Sequence, residues 1–220
     1  MHGIVHASIE FIKQHGEWAL PVLFVVSFGE SFVGISLLFP GTTIMVIAGT
    51  MARWPLNPDG ALDIWPLLIG SITGAVMGDA ISFWLGRRFG HLVEKNWYFV
   101  RHPDLLKRGY AFFDRFGVAS VFIGRFFGPV RAVIPLVAGI MNMSWKEFWF
   151  ANIGSALIWA PALLLFGTAL TVITKAMGAP RGWHLTVSIA AVVVVMVLVW
   201  GLQKLGIFER LGRSWSRYFR

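Results

Sequence analysis

Residues 124–135 read GRFFGPVRAVIP, and they decide what kind of chain this is. Arg125 and Arg131 stand six residues apart in otherwise apolar sequence, and between Phe116 and Trp145 they are the only charged side chains. Pro129 and Pro135 interrupt the same stretch. Proline removes a backbone donor and clashes with the preceding turn. Broken backbone at membrane depth is tolerated only inside protein or beside a water-filled cavity. Two permanent cations on interrupted backbone therefore predict a buried loop that expects an anion, rather than a plain spanning helix.

The rest of the chain sets that stretch in a membrane. Of 220 residues, 56% are hydrophobic and 14% charged, with a mean hydropathy of +0.68. Soluble domains run at about 45–50% apolar and about 25% charged. The length suits one membrane domain over residues 1–220. No cysteine is present, which excludes a disulfide framework, a thiolate metal site and a thiol nucleophile. The net charge of +8 is read as orientation and contact with anionic headgroups. No basic arm interleaved with aromatics points to nucleic acid. The opening HGIVHASIEFIKQHGEW lacks the ordered parts of a signal peptide. Its Ile4, Val5, Ile9, Phe11 and Ile12 suit a short interfacial helix.

Five apolar regions follow, at about 18–52, 65–86, 117–143, 148–176 and 185–202. A spanning helix needs about 20 apolar residues, and the second, fourth and fifth regions fit one crossing each. The first and third each carry an early charge and a later proline, so both are expected to be re-entrant hairpins or broken helix pairs. In the first, Glu30 precedes Pro40 by ten residues; in the third, Arg125 precedes Pro135 by ten, and Gly29 and Gly124 stand just before the charges. Pro40, Gly41, Pro129 and Pro135 are the expected breaking residues. Interrupted apolar segments at corresponding places in two halves point to a transport site near the midplane.

Lys/Arg placement gives an orientation. Residues 87–115 carry seven and residues 204–220 carry five, whereas 53–64 and 177–184 carry one each, Arg53 and Arg181. The positive-inside rule puts the first two segments in the cytoplasm. The first hairpin then opens outward and the second inward, as an inverted repeat requires. The expected fold class is an all-α polytopic membrane protein. Its two inverted halves each have a re-entrant hairpin and a transmembrane helix, and a C-terminal transmembrane helix follows. The expected parts are a first half at 17–86, a cytoplasmic amphipathic loop at 87–116 and a second half at 117–176. A last helix at 185–203 and a basic cytoplasmic tail at 204–220 complete the chain.

Glu30, Asp79, Arg125 and Arg131 all lie deep in apolar sequence. Each unpaired charge at the bilayer centre costs at least about 2.5–3.5 kcal/mol on insertion scales. Two acids and two bases can neutralise one another, and buried pairs that merely lock two hairpins are one reading. The other is a site. Arginine offers a planar fork suited to phosphate, so Arg125 and Arg131 are the expected phosphate-binding pair. Intramembrane carboxylates form proton relays in transporters, so Glu30 and Asp79 are the expected proton-coupling or ion-pairing residues.

Other features have plainer readings. Gly70, Gly74 and Gly78 form a ridge for close helix packing. Most tryptophans, among them Trp54, Trp65, Trp97, Trp145 and Trp183, fall near region ends as interfacial anchors. Residues 103–116 place Leu106, Tyr110, Phe113 and Phe116 at helical spacing, as for a helix on the inner leaflet. No HExxH or GxSxG arrangement occurs, so neither a metal or other cofactor nor an enzyme activity is expected.

The segments FGES, FPGT and IAG, then GDAISFWLGRRFG, then GRFFGPVRAVIPLVAGIMNMSWKEFWFANIGSALIW, resemble the DedA family of bacterial inner-membrane proteins over roughly residues 20–170. The resemblance implies an inverted-repeat fold with two re-entrant hairpins, and translocation of lipids such as undecaprenyl phosphate or phosphatidylethanolamine. It matches family functional residues to Glu30, Arg125 and Arg131. Several members have an acid directly after the first Pro-Gly, where this chain has Thr42. That departure leaves Asp79 as a substitute or proton coupling weaker.

The expectation is a lipid flippase or scramblase of the inner membrane with a cytoplasmic C-terminus, its partners being lipid and protons. The alternatives are a proton-coupled carrier for small ions or drugs and a non-transporting scaffold held by a Glu30–Arg125 pair. A homo-oligomer is compatible with the sequence but not specified by it.

Overall fold

Two long helices carry the shorter ones. The computed structural model describes residues 16–33, 35–36, 41–93, 103–126, 131–178 and 190. The expectations for Pro40, Pro129, the N-terminal interfacial helix, the helix at 185–203 and the tail at 204–220 lie outside the described residues. A 3-10 turn, Gly16–Trp18, leads into α1 (Ala19–Ser31). Then come α2 (Gly41–Met51), the short strands β1 (Ala52–Arg53) and β2 (Leu62–Asp63), and α3 (Ile64–Val93). They are followed by α4 (Pro103–Phe116), α5 (Ala119–Gly124), α6 (Ile134–Ile140) and α7 (Trp145–Ala176).

The long helices have clear local causes. Ser144 caps α7 by accepting the Glu147 amide at 3.3 Å, and its hydroxyl donates to Glu147 Oε2 at 2.7 Å. Gly178, at φ +70°, ends α7 in the left-handed conformation that glycine adopts without penalty. At 1.5 Å per residue, the 32 residues of α7 run about 48 Å, well beyond a hydrocarbon core of about 30 Å. In α3, residues Ile64–Gly90 are also long and apolar enough to cross. Phe150, Leu157, Ile158 and Ile173 of α7 and Trp65, Ile69 and Met77 of α3 are exposed, as lipid-facing side chains would be. By contrast α1 and α2, of 13 and 11 residues, reach only about 20 and 16 Å.

Two boundaries differ from the sequence reading. α3 runs through 87–93, which the sequence reading assigned to a cytoplasmic loop, and bends at Phe89, whose φ of −125° is not helical. A two-residue parallel pair, Ala52 with Leu62 and Arg53 with Asp63, departs from the all-α expectation. Asn57 holds the connection between these strands by donating to the Ala52 carbonyl at 3.0 Å. Lys175, at the end of α7, donates to Asn57 Oδ1 at 2.8 Å. The helix at Pro103–Phe116 forms as expected, but Leu106, Tyr110 and Phe113 turn onto α6 beside Val133, Leu136 and Val137. Its apolar face is largely covered by protein.

Glycines set how the short helices sit on the long ones. A Cβ at Gly70, Gly74 or Gly78 would overlap the carbonyls of Leu20, Phe24 and Phe28, so the ridge on α3 is the bed for α1. Helices α6 and α2 rest on α3 and α7 through glycines of both partners. A Cβ on Gly86 of α3 would strike the Leu136 carbonyl of α6, and one on Gly139 of α6 would strike the Phe83 carbonyl of α3. The same reciprocal contact joins α2 and α7, where Gly167 meets the Val46 carbonyl and Gly49 meets the Leu164 carbonyl. Each contact uses a glycine three residues after the carbonyl that the opposing glycine meets. In these contacts Val46 and Gly49 of α2 stand to α7 as Leu136 and Gly139 of α6 stand to α3. Gly41 and Pro135 lie within the first two residues of α2 and α6, so they start helices and any break precedes them.

Gly139→Ala is expected to lower stability by about 1–3 kcal/mol through overpacking. Gly154→Ala, whose Cβ would meet the Phe122 ring at 3.4 Å, is expected to be neutral or slightly stabilising. Thermal unfolding of the purified variants measures both, and equal behaviour would contradict the close-approach reading.

Candidate functional site

Where the short helices end, four charged side chains meet. Arg125 follows the last residue of α5, and Arg131 lies in the turn that leads into α6. Glu30 is in the last turn of α1, and Asp79 is on α3. Ser82, one turn beyond Asp79, accepts the Val33 amide at 3.0 Å and donates to the Gly78 carbonyl at 2.9 Å. It thereby pins the end of α1 to α3 beside Asp79.

The charges form two ion pairs. Arg125 Nη2 is paired with Asp79 Oδ2 and also donates to Asn152 Oδ1 at 2.5 Å. Asn152, on α7, donates in turn to the Val76 carbonyl of α3 at 3.0 Å. Arg131 Nη1 donates to Glu30 Oε1 at 2.6 Å, and the Thr42 hydroxyl donates to the same oxygen. The pairs differ in depth: the side chain of Arg125 is 3% exposed and that of Arg131 is 12%. Both guanidinium centres lie over the ring of Trp159, at 5.9 Å for Arg125 and 4.7 Å for Arg131, within cation–π range.

Several buried polar atoms are left over. Arg125 Nε and Nη1, Arg131 Nη2 and Glu30 Oε2 have no hydrogen-bond partner among the described residues. A buried group in that state costs about 1–3 kcal/mol, more when charged. Such atoms mark stored strain or a place for water, ion or ligand. The free nitrogens are donors, which suits an anion. Both acids already face arginines, and no group of three or more potential metal ligands occurs among the described residues. A cleft of about 480 Å3 lies elsewhere, lined by Glu17, Arg53, Asp59 and Asp63 among others, and it includes none of the four charges.

The sequence singled out all four charged residues but left their partners open, and its scaffold alternative joined Glu30 with Arg125. The structure joins Glu30 with Arg131 and Asp79 with Arg125. Gly41 adjoins the site as well: a Cβ there would overlap Glu30 Oε2, so its small size makes room for the carboxylate. Sequence reasoning gave no role to Asn152 or Trp159. Trp159 breaks the interfacial pattern of the other tryptophans by lying mid-helix, and Asn152 stands seven residues before it, two turns away on the same face. Those two signals were available.

Two apolar helices of crossing length, exposed apolar flanks and a buried cluster of charges define a helical membrane protein. The chain belongs to the DedA family: residues 39–169 match the VTT domain. It is similar to the inner membrane protein YabI of Escherichia coli, 29% identical over 94% of this chain and 82% of YabI. It is also similar to protein DedA of Escherichia coli, 28% identical over 76% of this chain and 73% of DedA. A third relative is the inner membrane protein YghB of the same organism, 29% identical over 69% of each chain. No solved structure matches.

Asp79→Asn is expected to cost about 3–5 kcal/mol, because it leaves the deeper arginine without its counter-charge. Glu30→Gln should cost clearly less, since Arg131 is nearer solvent and the amide oxygen still accepts from Thr42 and Arg131. Unfolding midpoints of the two variants in detergent give the order, and the reverse order would contradict the burial argument.

Proposed function

We propose that this chain is a membrane lipid transporter that moves a phosphate-headgroup lipid across the bilayer. The observation that carries the reading is the set of free, buried nitrogens on Arg125 and Arg131, brought together over one indole. Guanidinium groups recognise phosphate through paired, charge-assisted hydrogen bonds. An arriving phosphate would occupy Arg125 Nε and Nη1 and Arg131 Nη2, and it would compete with Glu30 for Arg131. Proton uptake by Glu30 would favour that exchange, which offers a route to coupling with the proton gradient; Asp79 would play the same part for Arg125. No bond is made or broken in this cycle, so the chain acts as a carrier and not as an enzyme.

The architecture supports the same reading. Helices α1 and α2, and likewise α5 and α6, are too short to cross and would form the arms of two re-entrant hairpins. The reciprocal glycine contacts, in which α2 rests on α7 and α6 on α3, suit an inverted repeat that exchanges its second arms. Substrate sites in inverted-repeat transporters lie at the repeat interface near the midplane, and the Arg131–Glu30 pair joins the two sets of arms there. The likeness to inner membrane proteins and the Lys/Arg distribution favour a multi-pass protein of the bacterial inner membrane with a cytoplasmic C-terminus. Undecaprenyl phosphate and phosphatidylethanolamine are the headgroups to try first.

The test is headgroup accessibility in proteoliposomes carrying labelled undecaprenyl phosphate or phosphatidylethanolamine, with and without a proton gradient. The wild-type chain is expected to expose the label on the opposite leaflet, and Arg125→Ala is expected not to. No movement above empty liposomes for either lipid would favour a carrier of water-soluble ions. Arg131→Lys should lower the rate about tenfold or more, because one lost charge-assisted bond is worth about 1.5–3 kcal/mol. An unchanged rate would refute the clamp.

A further inference from the structure

We infer that Trp159 is a positioning residue that orients the two arginines for phosphate, an inference that rests on the phosphate reading above. The indole is 4% exposed and sits mid-way along α7, so it does not anchor the helix at the membrane surface. Its ring lies within cation–π range of both guanidinium groups. Two like charges in a low-dielectric site repel strongly, and an electron-rich aromatic face between helices offsets part of that cost.

The two arginines do not depend on this ring equally. Arg125 is held by Asp79 on α3 and by Asn152 on α7, both on the long helices. Arg131 comes from the turn before α6 and has Glu30 as its hydrogen-bond partner among the described residues. It also lies nearer the ring, at 4.7 Å against 5.9 Å. When phosphate or a proton displaces the Glu30 contact, Trp159 is what keeps the guanidinium plane of Arg131 in place. Helix α7 therefore supplies one support for each arginine: the amide of Asn152 for Arg125 and the indole of Trp159 for Arg131. An arginine that keeps its plane can present two donors at once, and one that swings free presents a point charge.

The test uses the full chain in phosphatidylcholine nanodiscs titrated with undecaprenyl phosphate or, in a separate arm, phosphatidylethanolamine. The rise in unfolding temperature reads binding. Trp159→Phe keeps an aromatic face, and Trp159→Leu keeps apolar bulk without one. The half-saturating lipid fraction is expected to rise about threefold or less for Trp159→Phe and about tenfold for Trp159→Leu. That graded order separates positioning from packing, because the midpoint without lipid reports packing alone. If Trp159→Leu fails to fold, Trp159→Tyr takes its place, with half-saturation close to that of Trp159→Phe expected. Half-saturation in either aromatic variant weakened tenfold, or unchanged half-saturation in Trp159→Leu, would overturn the inference while leaving the phosphate site standing. If the wild-type midpoint responds to neither lipid, the phosphate reading fails and this inference falls with it.

Discussion

The separation between helix backbones governs this molecule. Where α1, α2 and α6 rest on the long helices, a missing Cβ lets a carbonyl come closer than any side chain would allow: Gly70, Gly74 and Gly78 under α1, Gly49 and Gly167 between α2 and α7, Gly86 and Gly139 between α3 and α6. In lipid the hydrophobic effect does not drive helices together, so packing and interhelical hydrogen bonds must. Thr168 and Thr171 of α7 supply such bonds by donating to the carbonyls of Gly49 and Thr50 at 2.9 and 3.1 Å. Short helices held so closely can carry charged residues at their ends without exposing them to hydrocarbon.

Burial in protein rather than lipid is what makes the charge cluster affordable. Arg125 and Asp79 stand between α3, α5 and α7, and Arg131 and Glu30 stand between the two sets of short helices. The first pair ties the end of α5 to the long framework, whereas the second ties the end of α1 to the turn before α6. Separating α1 from α6 would therefore break the Arg131–Glu30 pair and leave Arg125 with Asp79 and Asn152. Difference in attachment, more than difference in charge, distinguishes the two arginines.

Much of this was legible in the sequence, because hydropathy and charge act locally. Residues 65–86 and 148–176 announce long apolar helices, the GxxxGxxxG ridge announces close packing, and charges at Glu30, Asp79, Arg125 and Arg131 stand out against apolar neighbours. Pairing was not legible, since 101 residues separate Arg131 from Glu30 and 46 separate Arg125 from Asp79. Nor was the seating of α2 on α7 and of α6 on α3, which depends on which face of each long helix its glycine occupies. Asn152 and Trp159 escaped notice because polar and aromatic residues inside a spanning helix carry meaning only once their neighbours are known.

Thr42 shows how far one substitution reaches in such a site. The resemblance to DedA proteins places an acid there in several members, which first suggests that this chain has lost a proton carrier. Its hydroxyl instead donates to Glu30 Oε1, the oxygen that also accepts from Arg131. With threonine, the described cluster holds two arginines against two carboxylates, which balance. A carboxylate at that position would stand against Glu30 with no third arginine beside it, and like charges in low dielectric cannot both stay ionised at such range. A protonated acid could donate to Glu30 as threonine does, but its donor would come and go with pH. Threonine keeps the donor permanently. A proton on either carboxylate of the described cluster would therefore cost it an ion pair, that of Glu30 with Arg131 or that of Asp79 with Arg125.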